Sequence, residues 1–107
     1  MDKTINRTLD NYIKLIKTKF TDIEKVFVFG SFVKGNQNQD SDIDLALVFK
    51  DLDDSKRFDV QVQLMLLALD IDSRIEPHPF SHEDFNSGNP FAIEIKRTGI
   101  ELNYQDI

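Results

Sequence analysis

Val26-Phe27-Val28-Phe29-Gly30-Ser31-Phe32-Val33-Lys34-Gly35, followed by Ser41-Asp42-Ile43-Asp44-Leu45, is the stretch on which the fold of this chain turns. The continuous apolar run Val26 to Phe29 stops at a glycine, which reads as a short strand buried on both faces. Gly30 stands where that strand hands over to a helix, and a residue without Cβ permits unusual backbone angles and close approach of a ligand. Ser31 to Lys34 can open a short helix, whose first N–H groups and dipole favour a phosphate, with the Ser31 hydroxyl as a further donor. Asn36 to Asp40 is polar and turn-prone. Ile43 to Phe49 is a second strand, with Leu45, Leu47 and Val48 to bury. Asp42 and Asp44, two residues apart, point to one face of it with Cα atoms roughly 6.6–7 Å apart.

Each half of the stretch has a bland reading, a Gly-Ser turn in one case and a charged strand edge in the other. Two carboxylates on one face repel unless something neutralises them. Magnesium is held by one or two carboxylates plus substrate phosphates, and a bridging pair of aspartates suits two ions about 3.5–4 Å apart. The spacing Gly30-x-x-x-x-Gly35 imitates a P-loop, which requires Lys and then Ser or Thr; Asn36 and Gln37 exclude it. Asp40-x-Asp42-x-Asp44 opens like a calcium loop, but Leu45 and Asp51 stand where that loop needs Gly and Glu.

Outward from this stretch, Ile5, Leu9, Tyr12, Ile13, Ile16 and Phe20 recur at helical spacing over residues 4–20. Asp53 offers an N-cap. Phe58, Val62, Met65, Leu66 and Leu69 are again helical in spacing, and Val60, Leu64 and Leu67 widen the apolar face toward a sheet. Ile71 to Ile75 reads as a third strand, stopped by Pro77 and Pro79. Ser81 to Asp84 suits one helical turn. Pro90 suits the first turn of a last helix, Gly99 its C′ position, and Ile100 to Leu102 a short edge strand. The alternation of helices and strands predicts an α/β (α+β) sandwich, a small mixed central sheet flanked by helices.

The chain has 107 residues, is 40% hydrophobic and 30% charged, and contains no cysteine. One domain, 1–107, is expected. A disulfide framework and a thiolate zinc site are excluded. The formal charge of −6 argues against bulk nucleic-acid binding. With no signal-like start and no apolar run of ~18 residues, a cytoplasmic protein without membrane association is expected. His78 and His82 are four apart, but Pro77 and Pro79 disfavour a helix there and no third ligand is evident, so zinc is not expected. Phe80, Phe85 and Phe91 lack surrounding Lys and Arg and read as core or interface rather than as a base-stacking platform.

Gly30-Ser31, Gly35, Ser41 and Asp42-x-Asp44 together resemble the DNA polymerase β-like nucleotidyltransferase superfamily, and the size resembles its minimal nucleotidyltransferase branch. The family's small residue and arginine between the two glycines are replaced by Val33 and Lys34, the latter keeping charge without bidentate geometry. The resemblance implies a third carboxylate from a neighbouring strand. Its Asp-x-Arg pattern matches Asp72-Ser73-Arg74, and Asp72, Arg74 and Glu76 share a face by parity. Asp72 is the expected third acid, Glu76 the runner-up, and Asp70 lies at the helix–strand junction.

The same resemblance implies that Asp42, Asp44 and Asp72 hold two Mg²⁺ ions, with Gly30, Ser31, Lys34, Gly35, Ser41 and Arg74 around ATP or another nucleoside triphosphate. An acceptor hydroxyl would attack the α-phosphate and release pyrophosphate. Minimal members resemble the antitoxin of a toxin–antitoxin pair whose partner is an all-helical HEPN-type protein. The competing expectation is a partner-binding module that takes nucleotide without turnover. Apolar flanks such as Phe80 to Phe91 suit a homo-oligomer.

Overall fold

The computed structural model describes residues 3–35, 38 and 40–102. A four-stranded mixed sheet has the order β3-β2-β1-β4. Strands β1 (Ile23–Phe29) and β2 (Ile43–Phe49) are antiparallel, β3 (Ile75–Ser81) runs parallel to β2, and β4 (Ile100–Leu102) runs antiparallel to β1. Helix α1 (Lys3–Lys17) precedes β1, and the single turn α2 (Ser31–Lys34) joins β1 toward β2. Helix α3 (Arg57–Leu69) makes the crossover to β3, while α4 (His82–Phe85) and α5 (Pro90–Thr98) lie between β3 and β4.

The continuous apolar runs of β1 and β2 are explained by cover on both faces. Val26, Val28, Ile43, Leu45, Leu47 and Phe49 pack against Ile5, Leu9, Tyr12, Ile13 and Ile16 of α1 and Leu64 and Ala68 of α3. Phe27, Ala46, Val48 and Phe80 pack on the opposite face against Phe85, Ala92 and Ile95. The Tyr12 hydroxyl donates to the Leu64 carbonyl at 2.8 Å, tying α1 to α3 inside the first layer. Burial pushes its proton affinity well up.

Three expectations need correction. The third strand does not run from Ile71 to Ile75; it begins at Ile75 and continues through Pro77 and Pro79, which lie opposite Leu45 and Leu47. Strand residues present N–H and C=O to alternate sides, so prolines two apart place both missing donors on one edge. That edge faces away from β2, and there Gln61 donates to the Pro77 carbonyl at 3.4 Å. The prolines therefore end no strand; they occupy the outer side of an edge strand.

The second correction concerns α3. Its buried face is Leu64 and Ala68 with Val60 and Leu67 packed alongside. Phe58, Val62, Met65, Leu66 and Leu69 point to solvent with 74, 39, 48, 60 and 66% of their surfaces exposed. The helix is thus apolar on two faces, of which the sheet uses one.

The third is Gly99. It is extended, with φ −79° and ψ 170°, rather than left-handed, and its N–H donates to the Ile95 carbonyl at 2.7 Å. A side chain there would lie 2.6 Å from the Ile95 oxygen and 3.0 Å from the Val28 oxygen, so close backbone approach is what requires the glycine. The N-cap at Asp53 is present, accepting from the Ser55 N–H in the short 3₁₀ turn Asp54–Lys56. Asn89 caps α5 ahead of Pro90.

Candidate active site

Strand β2 sets the geometry. Asp44 sits in the ladder between Phe29 of β1 and Glu76 of β3, and the next pair on the same face is Ala46 and His78. Asp42 immediately precedes β2, where the Ile43 N–H is bonded to the Arg74 carbonyl at 2.8 Å. Ile43 and Leu45 are fully buried on the other face, so the acids are carried by a strand anchored in the core.

Glu76 joins this pair. The Asp42 carboxyl hydrogen-bonds to it and raises its proton affinity above that of an ordinary glutamate. Burial and the charges of Asp42 and Asp44 act in the same direction, and His78 acts against them. His78 Nε2 lies 3.2 Å from Asp44 Oδ1, with both side chains about a quarter exposed. Asp44, Glu76 and His78 each offer a ligand atom, all within 4.8 Å of one another. The His78 ring meets Phe29 at 5.3 Å and Phe91 at 6.0 Å between centroids, which fixes its plane.

Gly30 closes the opposite wall. It caps α2 with φ 80° and ψ −146°, a conformation open to glycine. A Cβ built there would lie 2.6 Å from Asp44 Oδ2. Glycine thus brings the backbone at the end of β1 against the catalytic-type carboxylate. Gly35 ends α2 in the left-handed region, and a Cβ there would meet none of the described residues within 4 Å. Ser31 begins α2 and Lys34 is exposed at its end. Ser41 Oγ accepts from the Asn38 N–H at 2.9 Å, bracing the turn that leads into Asp42.

Asp72 is elsewhere. It lies in the turn before β3 and accepts from Arg74 Nε at 3.1 Å, Nη2 at 2.8 Å and the Arg74 N–H at 2.9 Å. Those bonds hold its carboxyl below the usual aspartate range. Asp72 and Arg74 therefore form a turn clamp, and the acid that β3 carries to Asp42 and Asp44 is Glu76. The parity of residues 72, 74 and 76 was sound, but parity carries a side chain to one face only where the strand has already begun.

His78 and His82 are not brought together; His82 Nδ1 sits 2.7 Å from Glu24 Oε2. Phe80 and Phe85 are core residues, whereas Phe91 is 45% exposed and borders a groove with His78, Phe80, Asn89 and Arg57. His78 beside the acids was missed. The signal that could have found it was the alternation Glu76-x-His78-x-Phe80, hidden by the prolines between them.

The donor set fits a divalent cation, because carboxylates crowded enough to raise Glu76 are relieved by positive charge. Among the described residues, no helix is long and apolar enough to cross a membrane.

Known proteins share this family and fold. The family model described as polymerase beta, nucleotidyltransferase, matches residues 11–106. The protein adenylyltransferase MntA of Shewanella oneidensis is 36% identical over 61 residues, 56% of this chain and 43% of that protein, so the match spans less than half of the relative. A Sulfolobus solfataricus structure described as a nucleotidyltransferase superposes with a TM-score of 0.69 over 94% of this chain and 80% of that one, at 17% identity, which shows a shared fold. A toxin–antitoxin structure with AMP-PNP gives a TM-score of 0.60 at 25% identity, covering 91% of this chain and 74% of that one. The MntA–HepT toxin–antitoxin structure gives 0.56 at 21% identity, over 94% and 74% of the two chains.

Proposed function

The chain belongs to the polymerase beta nucleotidyltransferase family, and from that premise we propose that it transfers a nucleoside monophosphate, AMP from ATP, to a hydroxyl of a small or protein acceptor. The observation that carries the reading is the convergence of Asp42, Asp44 and Glu76 at one end of the sheet, facing a Gly30 that a side chain would drive into Asp44. The adenylyltransferase activity named for the Shewanella relative and the AMP-PNP in the toxin–antitoxin structure support adenosine nucleotide as donor.

Asp42, Asp44 and Glu76 would hold Mg²⁺, two ions on the two-metal pattern, and Asp72 is not needed for them. The bound metal supplies charge neutralisation at the phosphates and the leaving pyrophosphate. Gly30 and Ser31 offer backbone and hydroxyl donors to the triphosphate, and Lys34 and Gly35 flank it from the end of α2. Ser41 braces the turn that sets Asp42. Arg74 is committed to Asp72 and shapes the β3 turn instead of gripping phosphate. The acceptor oxygen attacks the α-phosphorus, the bond to the bridging oxygen breaks, and pyrophosphate departs with its electron pair. One carboxylate of this set would take the proton of the attacking hydroxyl.

The acceptor or partner reading rests on α3. Phe58, Val62, Met65 and Leu69 follow the 4-3-4 spacing of a helix-packing seam, with Leu66 beside it. That seam suits a helical partner of the HEPN type, in line with the toxin–antitoxin assemblies of the structural relatives. The chain would then serve as the antitoxin of a pair in a cytoplasmic setting.

The test is transfer of label from α-³²P-ATP, with Mg²⁺, to the product of the neighbouring gene, alongside Asp44→Asn. Label on the partner that disappears with Asp44→Asn supports the enzyme. Full neutralisation of the partner by Asp44→Asn, with no label in either sample, leaves the chain a binding module.

A further inference from the structure

We propose that His78 is a direct ligand in the metal site, giving it a nitrogen donor and a preference for Mn²⁺ or Co²⁺ over Mg²⁺. The inference rests on the nucleotidyltransferase reading of the acids and adds a residue and an ion class to it.

The placement comes from the ladder. Asp44 pairs with Glu76, and His78 follows Glu76 by two residues on the same face of an edge strand. Its Nε2 is 3.2 Å from Asp44 Oδ1, and it groups with one oxygen of Asp44 and one of Glu76 inside 4.8 Å. Ligand atoms of one ion at carboxylate and imidazole bond lengths of about 2.0–2.2 Å stand roughly 3–4.4 Å apart, so small side-chain shifts close the set.

The ring is also prepared for the role. Phe29 lies against it at 5.3 Å and 56°, and Phe91 meets it edge-on at 6.0 Å and 85°. Phe29 in turn packs on Phe91 at 5.5 Å. The rings come from β1 and α5, two elements anchored in the second core layer, so they restrict the imidazole to a narrow range of orientations. An imidazole required only to fill space would not need its nitrogen turned to a carboxylate. As the ion enters, Nε2 exchanges its hydrogen bond to Asp44 for the metal, and its proton is released to solvent or moves to Nδ1.

Ion preference follows from donor type. Carboxylate and water suit Mg²⁺ and Mn²⁺ alike, while a nitrogen donor adds affinity for the first-row ions along the order Mn²⁺ < Fe²⁺ < Co²⁺ and adds little for Mg²⁺. Mg²⁺ also demands near-ideal octahedral geometry and keeps its waters, which a third protein ligand on a rigid strand disfavours.

The experiment uses the full chain stripped of metal and titrated with Mn²⁺ alone, without nucleotide. Bound Mn²⁺ is counted by EPR, and its ligands are read by electron spin echo modulation. The expected result is ¹⁴N modulation in the wild type and in His82→Gln, and its loss in His78→Gln. Mn²⁺ affinity should fall about tenfold in His78→Gln, with Mg²⁺ competition changing far less. Glutamine can still donate to Asp44, so unchanged Mn²⁺ affinity and persisting ¹⁴N modulation in His78→Gln would overturn the proposal. Mn²⁺ bound in an Asp44-dependent way with no ¹⁴N modulation in the wild type also overturns it, while the carboxylate site survives. No Mn²⁺ binding by the wild type at millimolar concentration overturns both.

Discussion

Alanine at Gly30 and alanine at Gly35 both force an L residue to positive φ, at Gly30 in a region open essentially to glycine (ψ −146°) and at Gly35 in the milder left-handed helical region (ψ 12°). Both glycines have positive φ, 80° and 79°. An L residue forced into that half of the map costs about 1–3 kcal/mol, and the stiffer unfolded chain returns about 0.4–1 kcal/mol. Gly35→Ala should therefore lose about 1 kcal/mol and Gly30→Ala about 1–2.5 kcal/mol, falls in Tm of about 4–8 °C and 4–20 °C for a domain near this size. Among the described residues, only at Gly30 does the new methyl meet anything: Asp44 Oδ2 at 2.6 Å. The carboxylate is the movable end of its side chain, so it retreats and the fold survives. Regaining ordinary contact moves it by a sizeable fraction of an ångström, and misplacement on the 1 Å scale can lower catalysis by about 10²-fold. Urea unfolding, Mn²⁺ EPR and nucleotide transfer on both variants check this. Both variants should fold, Gly30→Ala the less stable of the two, with metal binding and transfer lost only in Gly30→Ala. If Gly30→Ala binds Mn²⁺ and transfers label as well as Gly35→Ala, close approach to Asp44 is not what position 30 provides.

Exchanging the two candidate third acids should separate fold from chemistry. Asp72→Asn is expected to cost about 1 kcal/mol by loosening the Arg74 clamp while transfer stays within a few-fold of wild type. Glu76→Gln is expected to abolish transfer; comparable loss in both variants would refute the reassignment. The pH dependences have opposite signs. Asp72 is held low by Arg74, so its contribution is present above the ordinary value of 3.8 and is lost as pH falls through the depressed one. Glu76 is held high, so metal-free wild type loses stability as pH rises from 4.5 through the raised value, and Glu76→Gln should melt higher than wild type at pH 7 and no higher well below pH 4.5. Phe58→Glu with Leu66→Glu should leave Tm within a few degrees, since neither side chain is in the core, and should abolish co-elution with a helical partner or a second copy on size exclusion. Tyr12→Phe should cost about 0.5–1.5 kcal/mol in urea unfolding through the lost bond to the Leu64 carbonyl, with transfer unchanged.

The parts of this molecule that local pattern determines were readable in advance. The α1 stripe, the two strands around Gly30 and Asp44, the cap at Asp53 and Pro90 in the first turn of α5 follow from periodicity and turn chemistry, and all are present. What escaped were features decided by position in the sheet. Proline ends a central strand but is compatible with the free side of an edge strand, and no residue in Ile75 to Ser81 says which of these it is. That ambiguity placed Asp72 inside the strand, where the match of Asp72-Ser73-Arg74 to the family's Asp-x-Arg pattern favoured it over Glu76, and it hid His78 from the acids. The two apolar faces of α3 were equally indistinguishable, because spacing shows that a face exists and not which one meets the sheet. Gly99 was identified for the wrong reason: its conformation is ordinary, and the nearby Ile95 and Val28 oxygens are what exclude a side chain.

Pro77 and Pro79 also govern how this protein can meet its neighbours. A bare strand edge is a template on which another chain can lay down a strand, in ordered complexes or in aggregates. With two donors deleted from the outer side of β3 and the Pro77 carbonyl taken by Gln61, that template is blank where it would be read. The edge strand that delivers Glu76 and His78 is thereby sealed against β-addition. Association on this side of the molecule is left to side-chain surfaces such as α3.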